Sequence, residues 1–242
     1  MSLTPDHVAL AAGGSLAIPD RIHARPRRLG VELCGLFVVV PLAMAYAIHD
    51  WHLSLILLLQ PVLLGLIGFL LWDKTFSVKR EFSMGLSKAQ LLSIMVVFAF
   101  VSAAAALFEW RFQPEQFLSF PRTRPIFWAI VMVFYPLFSA LPQELAYRTF
   151  FFHRYGALFG ARALAAVLTC GALFGFAHII IGSWVSIVLS AGFGVLVAYR
   201  YSKHRSLLGA WLEHSLYGNM IFTVGLGRYF FTGHALLAHG VH

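Results

Sequence analysis

Seven long, unbroken runs of apolar residues constrain this chain more than any other feature. They fall at roughly 31–48, 52–72, 90–109, 125–155, 160–181, 184–201 and 206–226. About 20 apolar residues in a helix cross the hydrocarbon core of a bilayer. In lipid every backbone N–H and C=O must be satisfied within the segment, so a helix is the default spanning element. The runs do not alternate apolar with polar residues, as the strands of a membrane barrel do. A soluble domain also cannot hide them. The chain is 60% hydrophobic and 12% charged, against about 25% charged in an ordinary soluble domain. The expected fold is all-α, a polytopic transmembrane helical bundle of about seven to eight spans. An eighth segment would come from residues 228–242, where Tyr229, Phe230 and Phe231 suit a membrane boundary.

Residues 1–30 read as a polar, basic amino-terminal arm, and 31–242 as a single membrane-embedded domain. The first apolar run is too long and begins too late for a signal-peptide core, so it reads as a retained span. The formal net charge is +8, and its carriers cluster between the runs. Arg21, Arg25, Arg27 and Arg28 lie in the arm. Lys74, Lys79, Arg80 and Lys88 follow the second run, Arg154 and Arg162 the fourth, and Arg200, Lys203 and Arg205 the sixth. With seven spans these all fall on one side, facing Arg111, Arg122, Arg124 and Arg228 on the other. That bias places the amino terminus in the cytoplasm, with a bacterial-type inner (plasma) membrane as the expected location. No basic face or recognition motif accompanies the charge, so the expected partner is the lipid bilayer and not nucleic acid.

Cys34 and Cys170 both lie inside apolar runs and read as small core residues, with neither a disulfide frame nor a metal motif. His234, His239 and His242 have no ligand motif around them and read as part of an unstructured or interfacial tail.

A charged residue at mid-bilayer costs about 2.5–3.5 kcal/mol on insertion scales, so polar residues within the runs are candidates for function. The first group is Pro142, Gln143, Glu144 and Arg148. Its run, about 31 residues, would be about 46 Å long as one straight helix, so a break is expected at Pro136 or Pro142. Glu144 and Arg148 are four apart and share a helix face, which by itself is explained by a structural ion pair. The second is His178, four residues after Phe174, with Gly175 and Ala177 small enough to admit a neighbouring helix. A lone histidine there is most simply a packed, hydrogen-bonded residue. The third is Glu213 and His214, followed by Tyr217, Gly218 and Asn219. His214, Tyr217 and Gly218 share one face, while Asn219 is about 140° away from His214. The fourth is Glu109, at a span end beside Trp110 and Arg111, which reads as a solvated boundary.

Glu144-x-x-x-Arg148, then Phe174-x-x-x-His178, then His214 followed by Asn219, each on its own span, resemble the motifs of the CPBP family. This CAAX-protease and bacteriocin-processing group, also called Abi, includes the type II CAAX prenyl endopeptidases. The resemblance covers about 125–226. The family's first motif is Glu-Glu-x-x-x-Arg, which puts Gln143 at the first glutamate and Glu144 at the second. Its third is usually His-x-x-x-Asn, which puts Gly218 at the asparagine position and Asn219 one residue late. The resemblance implies an intramembrane endopeptidase. Its partner would be a peptide or protein substrate at the membrane, cleaved of a C-terminal or leader peptide, with prenylated CAAX-type substrates among the candidates.

In such a mechanism a carboxylate and a histidine activate water, and donors meet the oxyanion. Carried over, His178 positions the water, and His214 with Asn219 supplies donors. Gln143 cannot take up a proton near neutral pH. Another carboxylate is therefore expected as base: Glu144 after a rotation at Pro142, or Glu213 beside His214. No cofactor is assumed. Zinc is the competing picture, with Glu144, His178 and His214 as its three protein ligands, although His-Glu-x-x-His is absent. A non-enzymatic alternative is an immunity, scaffold or maturation-partner protein that binds a peptide without cutting it. A transporter would show paired broken helices in two related halves, a pattern missing here.

Overall fold

The computed structural model describes residues 26–53, 55–83 and 85–231. Arg21, Arg25, His234, His239 and His242 lie outside these residues. Among the described residues nine helices occur in this order: α1 (Pro26–Trp51), α2 (Leu55–Trp72), α3 (Val78–Ser83), α4 (Lys88–Phe112), α5 (Ser119–Thr123), α6 (Pro125–Phe159), α7 (Ala163–Ile181), α8 (Trp184–His204) and α9 (Leu207–Val224). No strand occurs among the described residues. Each of the seven apolar runs is therefore a helix, and the all-α membrane bundle expected from sequence is the fold.

Five of these helices, α1, α4, α6, α7 and α8, are long and apolar enough to cross a membrane by length and composition. In α2 the apolar stretch Leu58–Trp72 is shorter. In α9 the run is diluted by Glu213, His214 and Asn219. α1 begins at Pro26 and so takes in Arg27 and Arg28 from the expected arm. Of the expected eighth segment, the described part is one 3₁₀ turn, Leu226–Tyr229.

Serines set several of the starts. Ser87 and Gln90 form a reciprocal capping box at α4, with bonds of 2.8 and 3.2 Å. Ser206 caps α9 by accepting from the Gly209 N–H at 3.1 Å.

α6 is the expected long element, but it widens instead of breaking. Two π-helical stretches, Pro136–Ala140 and Leu145–Phe150, flank a short α segment that carries Pro142, Gln143 and Glu144. Proline withholds a backbone N–H, and a π-bulge absorbs the resulting mismatch without ending the helix.

α7 and α8 make the closest pair. A Cβ on Gly175 would lie 2.7 Å from the Ala191 Cα, and one on Gly171 would lie 2.6 Å from the Val195 nitrogen. Only glycine permits this backbone approach, as small residues do at membrane helix interfaces generally. Around the pair, Phe37, Phe150, Phe151, Tyr155, Val167 and Val197 form a buried core drawn from α1, α6, α7 and α8. Large side chains on other faces point outward, for example Phe100 at 80% and Ile126 at 75% exposure. That is what a lipid-facing surface requires and a water-facing one does not tolerate over such an area.

Polar contacts tie the bundle at its two ends. At the basic end, Arg154 grips Glu32 through two bonds of 2.8 and 2.7 Å. Nearby, His153 lies 3.0 Å from Asp73, and Tyr201 donates to Glu81 at 2.8 Å. At the other end, Leu118 N–H donates to the Val224 carbonyl at 3.3 Å. There Arg228 also holds Glu109 through bonds of 2.8 and 3.1 Å.

Glu109 is thus fully buried, not the solvated boundary expected from its place at a span end. Gly225, at φ +117°, turns the chain so that Arg228 reaches back over it. The hydrogen bonds that Arg228 donates to Glu109 raise its pKa and hold the guanidinium charged. The cysteines also divide: Cys170 is buried as expected, whereas Cys34 is exposed on the α1 surface.

Candidate active site

The polar centre of the bundle is built on α6, α7 and α9. Glu144 sits in the α segment between the two π stretches of α6, and neither it nor Arg148 has any exposed surface. Glu144 Oε2 lies 3.1 Å from Arg148 Nε, and Oε1 lies 2.8 Å from His214 Nδ1. The i,i+4 ion pair expected from sequence is present, and α9 adds His214 to it across 70 residues of chain. Arg148 is held from the far side as well. Its Nη1 contacts Cys170 Sγ at 3.3 Å, and its guanidinium lies 5.0 Å from the Phe174 ring centroid. Cys170 in turn donates to the Tyr147 carbonyl at 2.8 Å. No spacing rule links this thiol to Arg148 in the sequence.

His178 lies where α7 tightens into its final 3₁₀ turn. Its Nδ1 is 2.9 Å from the Phe174 carbonyl oxygen. A carbonyl only accepts, so Nδ1 carries a proton, and in the neutral ring Nε2 keeps its lone pair. The rings of His178 and His214 both lie against Phe174, with centroids 5.0 and 5.6 Å away. Phe174 therefore joins the second and third motifs.

His178 lines an apolar cavity of about 170 Å³ between α1, α2, α6 and α7. Leu36, Met44 and Leu59 supply part of its wall, and Ser139, Gln143 and His178 its polar patch. The Gln143 amide nitrogen donates to Ser139 Oγ at 2.9 Å.

Other expected site residues point elsewhere. Glu213 faces a second cavity of about 360 Å³, formed with α4 and α8 and lined also by Ser93, Lys203 and His204. There its Oε1 lies 3.4 Å from Arg200 Nε. Neither Glu144 nor Glu213 lines the cavity that holds His178. Asn219 is turned toward α6, where its amide donates to the Met132 carbonyl at 3.1 Å. The 140° step from His214 carries it off the histidine face. Gly218 lies on that face, and the ring of Tyr135 covers it. No motif marked Tyr135. The signal available in sequence was the glycine itself, which vacates a position for a large neighbour.

Zinc does not fit this arrangement. Among the described residues no group of three or more His, Cys, Asp or Glu side chains is placed to hold a metal ion. Glu144 is engaged by Arg148 and His214, and the His178 Nδ1 by a backbone carbonyl, so the three expected ligands do not converge.

A helical membrane bundle with a carboxylate, an arginine and two histidines gathered from three helices is the class of protein defined here. Within it, residues 125–220 match the family model described as type II CAAX prenyl endopeptidase, Rce1-like. That match covers α6, α7, α8 and most of α9, the elements that carry the site. No curated protein and no solved structure matches the chain.

Proposed function

We propose that the protein is an intramembrane endopeptidase that removes a C-terminal or leader peptide from a membrane-associated substrate. Its substrate class is a prenylated CAAX-type peptide. One observation carries the reading: His178, whose Nδ1 is held by the Phe174 carbonyl, lines an apolar cavity that also holds Gln143, which leaves Nε2 as the nitrogen available to act as base. The family match over 125–220 supports peptidase chemistry in general. The apolar wall of the cavity suits a hydrocarbon chain next to the scissile bond.

In this mechanism a water molecule lies between His178 Nε2 and the side-chain oxygen of Gln143. As the water oxygen attacks the scissile carbonyl carbon, His178 takes its proton. The carbonyl π-bond opens to an oxyanion, which accepts a hydrogen bond from His214. Collapse of the intermediate breaks the C–N bond, and His178 returns the proton to the departing nitrogen. Positioned acid–base groups of this kind contribute about 10²–10⁴-fold.

Glu144 is a positioning residue. Its carboxylate fixes His214 through Nδ1 and stabilises the imidazolium, and Arg148 pairs with its other oxygen. The base is thus His178, and of the two carboxylates expected for that role Glu144 acts through a histidine. Glu213 serves the Arg200 pair in the other cavity. The basic end of the bundle faces the cytoplasm, in a bacterial-type inner membrane.

The test uses the full chain in lipid nanodiscs with a farnesylated peptide ending in a CAAX sequence, with products read by mass spectrometry. His178→Ala is expected to lower cleavage at least about 100-fold. Product that persists in that variant refutes the mechanism. A second reading, a membrane protein that binds such a peptide without cutting it, is favoured by the lack of any carboxylate among the residues lining the His178 cavity. Saturable binding by the wild type with no product would identify it.

A further inference from the structure

We infer that the hydroxyl of Tyr135 is the second hydrogen-bond donor to the tetrahedral intermediate, acting beside His214. The inference rests on the endopeptidase reading above. Gly218 follows His214 by four residues, so the two share a face of α9. A Cβ at 218 would collide with Cε1, Cζ and Oη of Tyr135. The phenol end of the side chain therefore occupies the volume that a larger residue at 218 would need. The ring is fixed by its neighbours: it meets His214 edge-on with centroids 5.9 Å apart, and Phe222 with centroids 5.5 Å apart. Its backbone is fixed too, because Trp211 Nε1 donates to the carbonyl of the next residue, Pro136, at 2.6 Å.

Packing accounts for the ring and leaves the hydroxyl unexplained. Phenylalanine would fill the same space. The hydroxyl has no hydrogen-bond partner among the described residues, and an unpaired hydroxyl in an apolar setting is unfavourable. Neighbouring candidates are committed elsewhere. The Asn219 amide is spent on Met132. The Tyr217 hydroxyl is itself buried without a partner among the described residues, but its ring packs on Phe98 and Phe193, which aims it toward α4 and α8 and away from Tyr135. Tyr135 thus places a donor next to His214, at the position where the family motif has an asparagine and this chain has glycine. Fixed donors of this kind bind the oxyanion more tightly than the ground-state carbonyl.

The test compares binding of two probes by the full chain in nanodiscs. One is the farnesylated CAAX peptide, and the other is its analogue with a phosphinate replacing the scissile amide, a stable tetrahedral anion. The expected result is that wild type prefers the phosphinate, and that Tyr135→Phe weakens phosphinate binding at least about tenfold while peptide binding changes less than threefold. In turnover the same variant loses kcat with little change in KM. Gly218→Asn alone also loses activity, because its Cβ meets the ring, whereas Tyr135→Ala with Gly218→Asn regains activity over Tyr135→Ala. If wild type prefers the phosphinate and Tyr135→Phe keeps that preference, Tyr135 is a packing residue and the inference is overturned. If wild type binds the phosphinate no better than the peptide, the hydrolase reading itself falls, and this one with it.

Discussion

Replacing Glu144 with glutamine keeps its shape and removes one charge from a pair that has no exposed surface. Glu144 Oε2 and Arg148 Nε lie 3.1 Å apart, each side chain at 0% exposure. At an effective dielectric of about 20 that separation corresponds to about 5 kcal/mol of attraction. Desolvation of the two ions offsets much of it, so the intact pair adds little over an apolar pair of the same shape. An orphaned partner is different and costs about 3–5 kcal/mol. Glu144→Gln leaves the Arg148 cation buried, and Arg148→Met leaves the carboxylate with His214 alone. Each is expected to destabilise by about 3–5 kcal/mol. The double variant should lose far less than the sum, with a coupling energy of about 3 kcal/mol. The assay is unfolding of the purified protein in mixed micelles by increasing SDS, followed by circular dichroism at all four corners of the cycle. A coupling energy below about 0.5 kcal/mol would refute the reasoning. It would mean that Arg148 is held by Cys170 and Phe174, and Glu144 by His214, with no energetic link between the halves.

Further outcomes follow from the same geometry. Gln143→Glu places a carboxylate in the His178 cavity and is expected to raise cleavage of the farnesylated peptide at least about tenfold, measured as initial rate; an unchanged rate would mean that Gln143 does not touch the water. Because the expected zinc ligands do not converge, purified protein should hold zinc well below one per chain by elemental analysis, and a strong chelator should leave cleavage within about twofold. Leu59→Trp fills the apolar wall of the cavity, so kcat/KM should fall at least about tenfold for the prenylated peptide and little for the unprenylated one. Gly175→Leu forces a side chain into the Ala191 backbone and should destabilise by about 1–3 kcal/mol in the SDS assay.

Much of the fold was legible because it is written in segment length. Each apolar run became a helix, and the capping serines stand at the starts of α4, α8 and α9. The Glu144–Arg148 pair was legible because four residues is a fixed step on a helix. Contacts between helices were less so, since no spacing rule links residues on different spans. Hence the sequence named Glu144 and His214 but not their bond, and it left Glu213 a candidate base although Arg200 claims it from α8. Family position set Asn219 beside His214, whereas the 140° step on α9 turns its amide toward the Met132 carbonyl. Tyr135 was invisible, because a single aromatic in an apolar run has no pattern to distinguish it. Glu109 looked like a surface residue because the glycine that folds Arg228 back over it lies more than 100 residues downstream.

The two π stretches of α6 bear on how this chain tolerates change in length. A π-bulge is an α-helix carrying one surplus residue. The span therefore holds two places, on either side of Glu144, where a single residue could be lost while the helix stays continuous. Loss before the α segment would rotate Gln143, Glu144 and Arg148 together relative to Tyr135, leaving the ion pair intact and re-aiming it. Loss after it would separate Arg148 from Glu144 and leave Gln143 where it is. Length variation within this helix is thus a means of retuning the site without dismantling the span, and the position of the deletion decides which half is retuned.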